Sequence, residues 1–122
     1  MSSVSILMPV KNAAMFLTQT LESIRSQDFQ DWELIAVNDH SSDESFDLLQ
    51  SFSKSDSRIQ VFQNEGQGII HALRLAYSKS SSNLITRMDA DDLMPEHKLS
   101  RMVSHTRPAA VVTGKVSYFR ED

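Results

Sequence analysis

Three aspartates lie within four residues, directly after an apolar stretch at positions 84–88. The carboxylates of Asp89, Asp91 and Asp92 repel one another when they are held together, unless a positive group joins them. Carboxylate oxygens suit Mg²⁺ or Mn²⁺, and proteins often hold such ions through one or two side chains, while water and substrate phosphate complete the coordination. The sequence therefore predicts a divalent-metal site with Asp91 and Asp89 as its ligands.

The same aspartates have a structural alternative. Carboxylates accept hydrogen bonds from free backbone N–H groups and stabilise the positive end of a helix. Pro95 is well placed as the first residue of such a helix. From the residues alone, both interpretations remain open.

A second polar cluster, Asn38 and Asp39, follows the apolar stretch at 32–37. At the end of a parallel strand, a carboxylate can accept hydrogen bonds from a nucleobase edge or from ribose hydroxyls. The alternative for Asp39 is the capping of the helix that follows.

Several other kinds of site are excluded or disfavoured. Residues 9–12 lack the glycines of a dinucleotide-binding turn, and the chain contains no P-loop lysine motif, so Gly66 and Gly68 are interpreted as turn residues. There is no cysteine, which excludes disulfides and thiolate zinc sites, and the four scattered histidines receive no catalytic role.

Charge and hydropathy limit the classes of partner and the cellular locations that we expect for the protein. The net charge is −4 and no basic run is present, so we expect no nucleic-acid partner. The N-terminus lacks the pattern of a signal peptide, and no apolar window is long enough for a membrane span. These features favour a cytoplasmic protein, with a peripheral position at the inner face of the membrane as a further option for a longer protein.

Apolar periodicity predicts an alternation of strands and helices along 122 residues. The predicted strands are 4–10, 32–37, 59–61, 84–88 and 109–119. Four helices are predicted between and after them: 13–27, a helix that begins with a Ser41–Glu44 capping box, a helix that carries Ile69, Leu73 and Ala76, and a helix that starts at Pro95. This alternation is typical of a Rossmann-like α/β fold with a mostly parallel sheet. Ligands of such folds bind beyond the carboxyl ends of the strands, where the polar clusters lie.

The order of three motifs resembles family 2 glycosyltransferases of the GT-A fold. These are MPVKN at 8–12, VNDHSSD at 37–43, and RMDADD at 87–92 with a proline just after it; the stretch from Gly68 to Leu73 is also similar to the family. The chain departs from the family pattern at Lys11, Asn38, His40 and Arg74, where an aromatic residue, aspartate, glycine and asparagine are the more usual residues.

The resemblance implies a nucleotide-diphosphate sugar donor, a Mn²⁺ or Mg²⁺ cofactor, and transfer of the sugar with inversion to a hydroxyl of a carbohydrate or lipid-linked acceptor. It implies that Asp39 binds the base, that Asp89 helps to hold ribose or metal, and that Asp91 coordinates the ion. The expected nucleotide-binding set is Pro9, Val10, Asn12, Asp39, Gly68, Asp89 and Ala90.

The length of the chain, compared with that of the family it resembles, predicts which part of a catalytic domain it contains. The family's catalytic domain is about twice as long as this chain, so we expect a single domain, 1–122, that forms the N-terminal part of a GT-A domain. No catalytic residue is then expected within the chain, since the base would lie beyond Asp122, and strand material at 116–119 could leave an exposed edge for self-association. Two alternatives remain: a non-catalytic nucleotide-sugar-binding or interaction module, and a Mg²⁺-dependent phosphoryl-transfer or receiver-like domain.

Overall fold

The computed structural model of the chain describes residues 2–105. Strands and helices alternate throughout this part. The strands are β1 (Val4–Val10), β2 (Trp32–Asn38), β3 (Ile59–Gln63) and β4 (Leu84–Arg87), and the helices are α1 (Ala14–Arg25), α2 (Ser45–Ser55), α3 (Ile69–Lys79) and α4 (Lys98–Ser104). The predicted strand at 109–119, with the edge at 116–119, lies outside the described residues.

The four strands form one parallel sheet in the order β3-β2-β1-β4, which confirms the predicted α/β architecture. Val10 pairs with Asn38, and Asn38 pairs with Gln63, so the first three strands end in line. β4 ends lower in the sheet, with Arg87 opposite Leu7. The loops after β1, β2 and β4 therefore meet at one edge of the sheet.

Each face of the sheet has its own core. Val4, Ile6, Met8 and Val10 point to the face covered by α1, α2 and α4, while Leu7 packs on the other side with α3. Right-handed crossovers explain this division, because the connection from β3 to β4 runs back across the sheet and must use the opposite face. Side chains as fully buried as these contribute roughly 1.5–3 kcal/mol each to stability.

Helix α3 buries a different stripe from the predicted one. Ala72 and Ala76 are fully buried against the sheet, whereas Ile69 is 45% exposed. The predicted stripe of Ile69, Leu73 and Ala76 was therefore only partly correct. Alanines permit a close approach of the helix to β1 and β2, which leaves Leu73 at the margin of the contact.

Two helix starts also differ from the predictions. α2 begins at Ser45, and the predicted Ser41–Glu44 capping box does not form: Glu44 makes no capping bond, and Ser41 Oγ accepts the N–H of Asn12 instead. α4 begins at Lys98, three residues after Pro95. The first of these errors arises because a partner distant in sequence competes for the serine hydroxyl.

Glu33 is the centre of a polar network at the end of the sheet opposite the strands' carboxyl ends. The side chain is only 6% exposed. Its carboxylate accepts hydrogen bonds from Ser5 Oγ at 2.5 Å, from the Ser81 backbone N–H at 2.6 Å and from Ser81 Oγ at 2.9 Å. Burial raises the pKa of Glu33, but these hydrogen bonds outweigh burial and leave the pKa below its ordinary value.

We expect Glu33→Gln to lower the free energy of unfolding at pH 7 by about 1–3 kcal/mol, because the three donors of Ser5 and Ser81 lose a charged acceptor. Since the folded-state pKa is depressed, the contribution of the carboxylate is fully present above the unfolded-state value of about 4.3 and is lost as the pH falls through the folded-state pKa. Urea unfolding at pH 7 and pH 3 should show a difference between parent and variant that narrows at the lower pH. A pH-independent difference would contradict this role, and Glu22→Gln, which alters an exposed carboxylate on α1, is the control.

Candidate functional site

A cleft of about 460 Å³ lies where the strands end. It is bounded by the loops after β1, β2 and β4 and by the start of α3. Its walls are formed by Pro9, Val10, Lys11, Asn12, Ala13, Phe16, Asp39, Gly68, Ile69, Asp89, Ala90 and Asp91. The structure thus brings to one cleft all eight residues that the sequence analysis nominated, together with four that it did not.

The loop after β1 is held in place by the loop after β2. Asn12 adopts a left-handed backbone conformation, with φ of 50°, which asparagine tolerates better than most residues. Its Oδ1 accepts the Ser42 N–H at 2.7 Å, and its own N–H donates to Ser41 Oγ at 3.0 Å. Asn12 therefore lines the cleft and also braces the two loops against each other.

Asp43 links the first turns of two helices. One carboxylate oxygen accepts the Ala14 N–H of α1 at 3.1 Å, and the other accepts the Ser45 N–H of α2 at 2.9 Å. Hydrogen bonding from Ser45 is the main reason why the pKa of Asp43 lies below its ordinary value. One side chain thus anchors both helices that begin beside the cleft.

Asp39 is held tightly although it lines the cleft. Its side chain is buried, and its Oδ1 accepts a hydrogen bond from Asn64 Nδ2 at 2.9 Å. The Gly68 N–H lies 3.2 Å from each carboxylate oxygen. Gly68 has φ of 90° and ψ of 165°, a conformation essentially restricted to glycine. Asn38 does not line the cleft: it is buried, and its Nδ2 donates to Gln63 Oε1 at 2.8 Å.

The acidic run forms a compact cluster beside the loop after β1. Oxygen atoms of Asp89, Asp91 and Asp92 all lie within 4.8 Å of one another, and all three residues are exposed. Arg87 Nη2 lies 3.1 Å from Asp89 Oδ1. Although Asp92 is exposed, partial loss of water around its carboxyl, and then repulsion by Asp89 and Asp91, raise its pKa. This donor set of hard oxygens fits a divalent cation such as Mg²⁺ or Mn²⁺, and Asp92 is a third candidate that the two-ligand prediction omitted.

Thr20 on α1 and Gln27 just after that helix position the loop that carries this cluster. Thr20 Oγ1 donates to the Ala90 carbonyl at 2.9 Å, between the first two aspartates of the cluster. Gln27, only 1% exposed, donates to the Pro95 carbonyl at 2.7 Å and accepts the Leu99 N–H at 3.1 Å. No sequence pattern points to either residue, because their partners lie about 70 positions away.

No helix among residues 2–105 is both long and apolar enough to cross a bilayer. The location expected from the sequence stays a prediction.

Comparison with known proteins identifies the family. Residues 5–122 match the family model described as glycosyl transferase family 2. An uncharacterized glycosyltransferase of Rickettsia bellii is 32% identical over 121 residues, which are 99% of this chain and 17% of that protein. This chain spans less than half the length of this relative and of three other curated glycosyltransferases that it matches.

Two solved structures show the same fold. S. aureus TarS 1-349 in complex with UDP superposes with a TM-score of 0.77 at 22% identity, over 84% of this chain and 31% of that one. Mannosyltransferase PcManGT from Pyrobaculum calidifontis, in complex with GDP-Man and Mn²⁺, gives a TM-score of 0.67 at 24% identity, over 75% and 28% of the two chains. The parallel sheet, its GT-A neighbours and the family match together show that the chain belongs to glycosyl transferase family 2 and has the α/β architecture of the GT-A fold.

Proposed function

We propose that the cleft binds a nucleotide-diphosphate sugar together with a divalent cation, so that the sugar can be transferred with inversion to an acceptor hydroxyl. The observation that carries this proposal is the convergence of Asp39 and the acidic cluster on one cleft. A diphosphate would be repelled by three carboxylates alone, and a cation held between them removes that repulsion. One divalent cation would therefore neutralise both the acidic cluster and the phosphates of the donor.

Asp39 is proposed to recognise the base. An ionised carboxylate only accepts hydrogen bonds, so it favours a base edge that offers an N–H donor, such as the ring N–H of uracil or guanine. Pro9 and Val10 would line the nucleotide pocket, and Gly68 leaves room beside them, since a Cβ at that position would meet no atom within 4 Å. That TarS was solved with UDP and the mannosyltransferase with GDP-Man supports a nucleoside-diphosphate donor without fixing the base.

Asp91 and Asp89 are proposed to hold the cation, with Asp92 as a third candidate ligand. When bound there, Mn²⁺ or Mg²⁺ would neutralise the negative charge that develops on the departing nucleoside diphosphate. The Mn²⁺ in the mannosyltransferase structure supports this assignment. Thr20 contributes by fixing the backbone at Ala90 within the cluster, and Gln27 by fixing the backbone at Pro95 after it, so that the carboxylates stay close together.

Transfer itself is proposed for the longer protein implied by the lengths of the relatives. The acceptor, carbohydrate or lipid-linked, and a catalytic base beyond Asp122 remain predictions. A non-catalytic binding module remains the alternative for the 122-residue chain, and formation of product from a labelled nucleotide sugar distinguishes the two. The family match sets aside the receiver-like interpretation.

The proposal is tested by calorimetry of the 122-residue chain with UDP, GDP, ADP, CDP and inorganic pyrophosphate, each with and without Mn²⁺. We expect binding that requires Mn²⁺ and that is tighter for UDP or GDP than for pyrophosphate. Equal affinity for all five compounds, or an affinity that is the same with and without Mn²⁺, would contradict the proposal.

A further inference from the structure

A line of contacts connects the first turn of α3 to the proposed base-binding carboxylate. His71 Nδ1 lies 2.6 Å from Asn64 Oδ1, and Asn64 Nδ2 donates to Asp39 Oδ1 at 2.9 Å. Asn64 is only 3% exposed, and its backbone N–H donates to the Asn38 carbonyl at 2.9 Å. The asparagine is therefore fixed at its backbone, and its side chain lies between His71 and Asp39.

The chemistry of the neighbours decides where the protons lie. Asn64 Nδ2 faces Asp39 Oδ1 and also the Gly68 carbonyl, at 3.3 Å. An ionised carboxylate and a carbonyl can only accept, so the NH₂ group of Asn64 must point toward them. Its Oδ1 then faces His71 and needs a donor, which requires the proton of a neutral His71 to be on Nδ1.

The imidazole of His71 is also confined from the side. A Cβ on Gly66 would lie 2.6–2.8 Å from three atoms of the ring, so the ring packs directly against this glycine. The Gly66 carbonyl lies 2.8 Å from His40 Nε2, which holds the loop in place from the other direction. The glycine thus provides the space that the His71 ring occupies.

We propose that His71 is a positioning residue that sets the orientation of the Asp39 carboxylate through Asn64. Without the donor at Nδ1, the side-chain amide of Asn64 can turn over or move. Within residues 2–105, the Asp39 carboxylate then keeps only the Gly68 N–H as a hydrogen-bond donor. A carboxylate with more rotational freedom is a poorer partner for a base. The consequence for binding rests on the proposed function, whereas the orientation of Asp39 does not.

The first test measures base-dependent affinity as the ratio of the affinity for UDP or GDP to that for pyrophosphate, all with Mn²⁺. We expect His71→Ala to lower this ratio about 3- to 10-fold, which corresponds to one hydrogen bond. His71→Asn should restore it, because its side-chain nitrogen is bonded to Cγ as Nδ1 is. Gly66→Ala should lower the ratio as His71→Ala does, because it displaces the ring while leaving the histidine itself unchanged.

Tyr77→Ala is the matched control, since Tyr77 lies on the same helix and is 62% exposed. It should leave the ratio unchanged, and thermal melts of all variants confirm that each is folded at the assay temperature. An unchanged ratio in folded His71→Ala, or a failure of His71→Asn to restore it, would overturn the proposal.

The second test needs no ligand and so separates this proposal from the proposed function. Nitrogen NMR of the neutral ring should show the proton on Nδ1, and the carboxyl carbon signal of Asp39 should move in His71→Ala and return in His71→Asn. A proton on Nε2, or an Asp39 signal that is insensitive to His71, would overturn the positioning role. If instead these signals behave as expected while the parent shows no preference for UDP or GDP over pyrophosphate, the proposed function fails and the positioning of Asp39 stands.

Discussion

Asp91→Asn is expected to lower the Mn²⁺-dependent affinity of the chain for UDP or GDP by about 10–100-fold or more. Loss of a residue that only supports a metal ligand typically costs this much, and a direct ligand should cost no less. Affinity for Mn²⁺–pyrophosphate should fall by the same factor, because the metal contacts the phosphates and not the base. Calorimetry of both ligands measures the effect.

The controls for this variant use the rest of the acidic surface. Asp89→Asn should give a loss of similar size, and Asp92→Asn reports whether the third carboxylate also contributes. Glu22→Gln removes one negative charge on α1 from a residue paired with Arg25, and it should change neither affinity. An Asp91→Asn chain that binds Mn²⁺ and nucleotide as the parent does would remove Asp91 from the metal site.

Asp39→Ala is expected to lower the affinity for UDP or GDP by about 10–100-fold while leaving that for Mn²⁺–pyrophosphate unchanged. A buried hydrogen bond to a charged group corresponds to roughly 1–3 kcal/mol, and 1.4 kcal/mol is a factor of ten. The metal dependence of binding should persist, since the acidic cluster is untouched. The affinity for Mn²⁺–pyrophosphate, which has no base, then distinguishes the two residues: it falls in Asp91→Asn and stays unchanged in Asp39→Ala.

Because Asp39 accepts hydrogen bonds from Asn64 and Gly68, its removal also affects the fold locally. Asp39→Asn is the milder companion, since it retains an acceptor oxygen for these donors while losing the charge. Loss of pyrophosphate binding in a folded Asp39→Ala chain, or unchanged UDP and GDP affinities, would contradict the assignment to the base.

Local sequence patterns were sufficient to predict the architecture and the position of the cleft. The strands are short apolar runs, and an alternation of strands and helices leaves few topologies other than a parallel sheet. The polar residues directly after β1, β2 and β4 then had to meet at one edge. The sequence alone therefore predicts that Asp39 and the acidic run lie at the same cleft.

Features that depend on distant partners were not predictable. Ser41 has the spacing of a helix cap, yet its hydroxyl is occupied by Asn12, and Asp43 accepts the first N–H of α2 instead. On α3, both the predicted stripe and the stripe of Ala72 and Ala76 have helical spacing, and only the distance of the helix from the sheet decides between them.

The roles of two residues, His40 in the loop after β2 and Thr20 on α1, become clear only from the folded structure. His40 stands where glycine is the more usual residue, and its φ of 55° is the left-handed conformation that glycine adopts without cost. Its ring is held by the Gly66 carbonyl. No sequence pattern distinguishes Thr20 from other residues of α1, and its contact with the Ala90 carbonyl arises only from packing.

The most direct measurement is anomalous X-ray scattering from crystals of the chain grown with Mn²⁺ and either UDP or GDP. The account predicts a manganese peak at bonding distance from carboxylate oxygens of Asp91 and Asp89 and from the nucleotide's phosphates, with the base against Asp39. A nucleotide bound in the cleft with no manganese peak at the acidic cluster, or manganese bound only elsewhere, would contradict it.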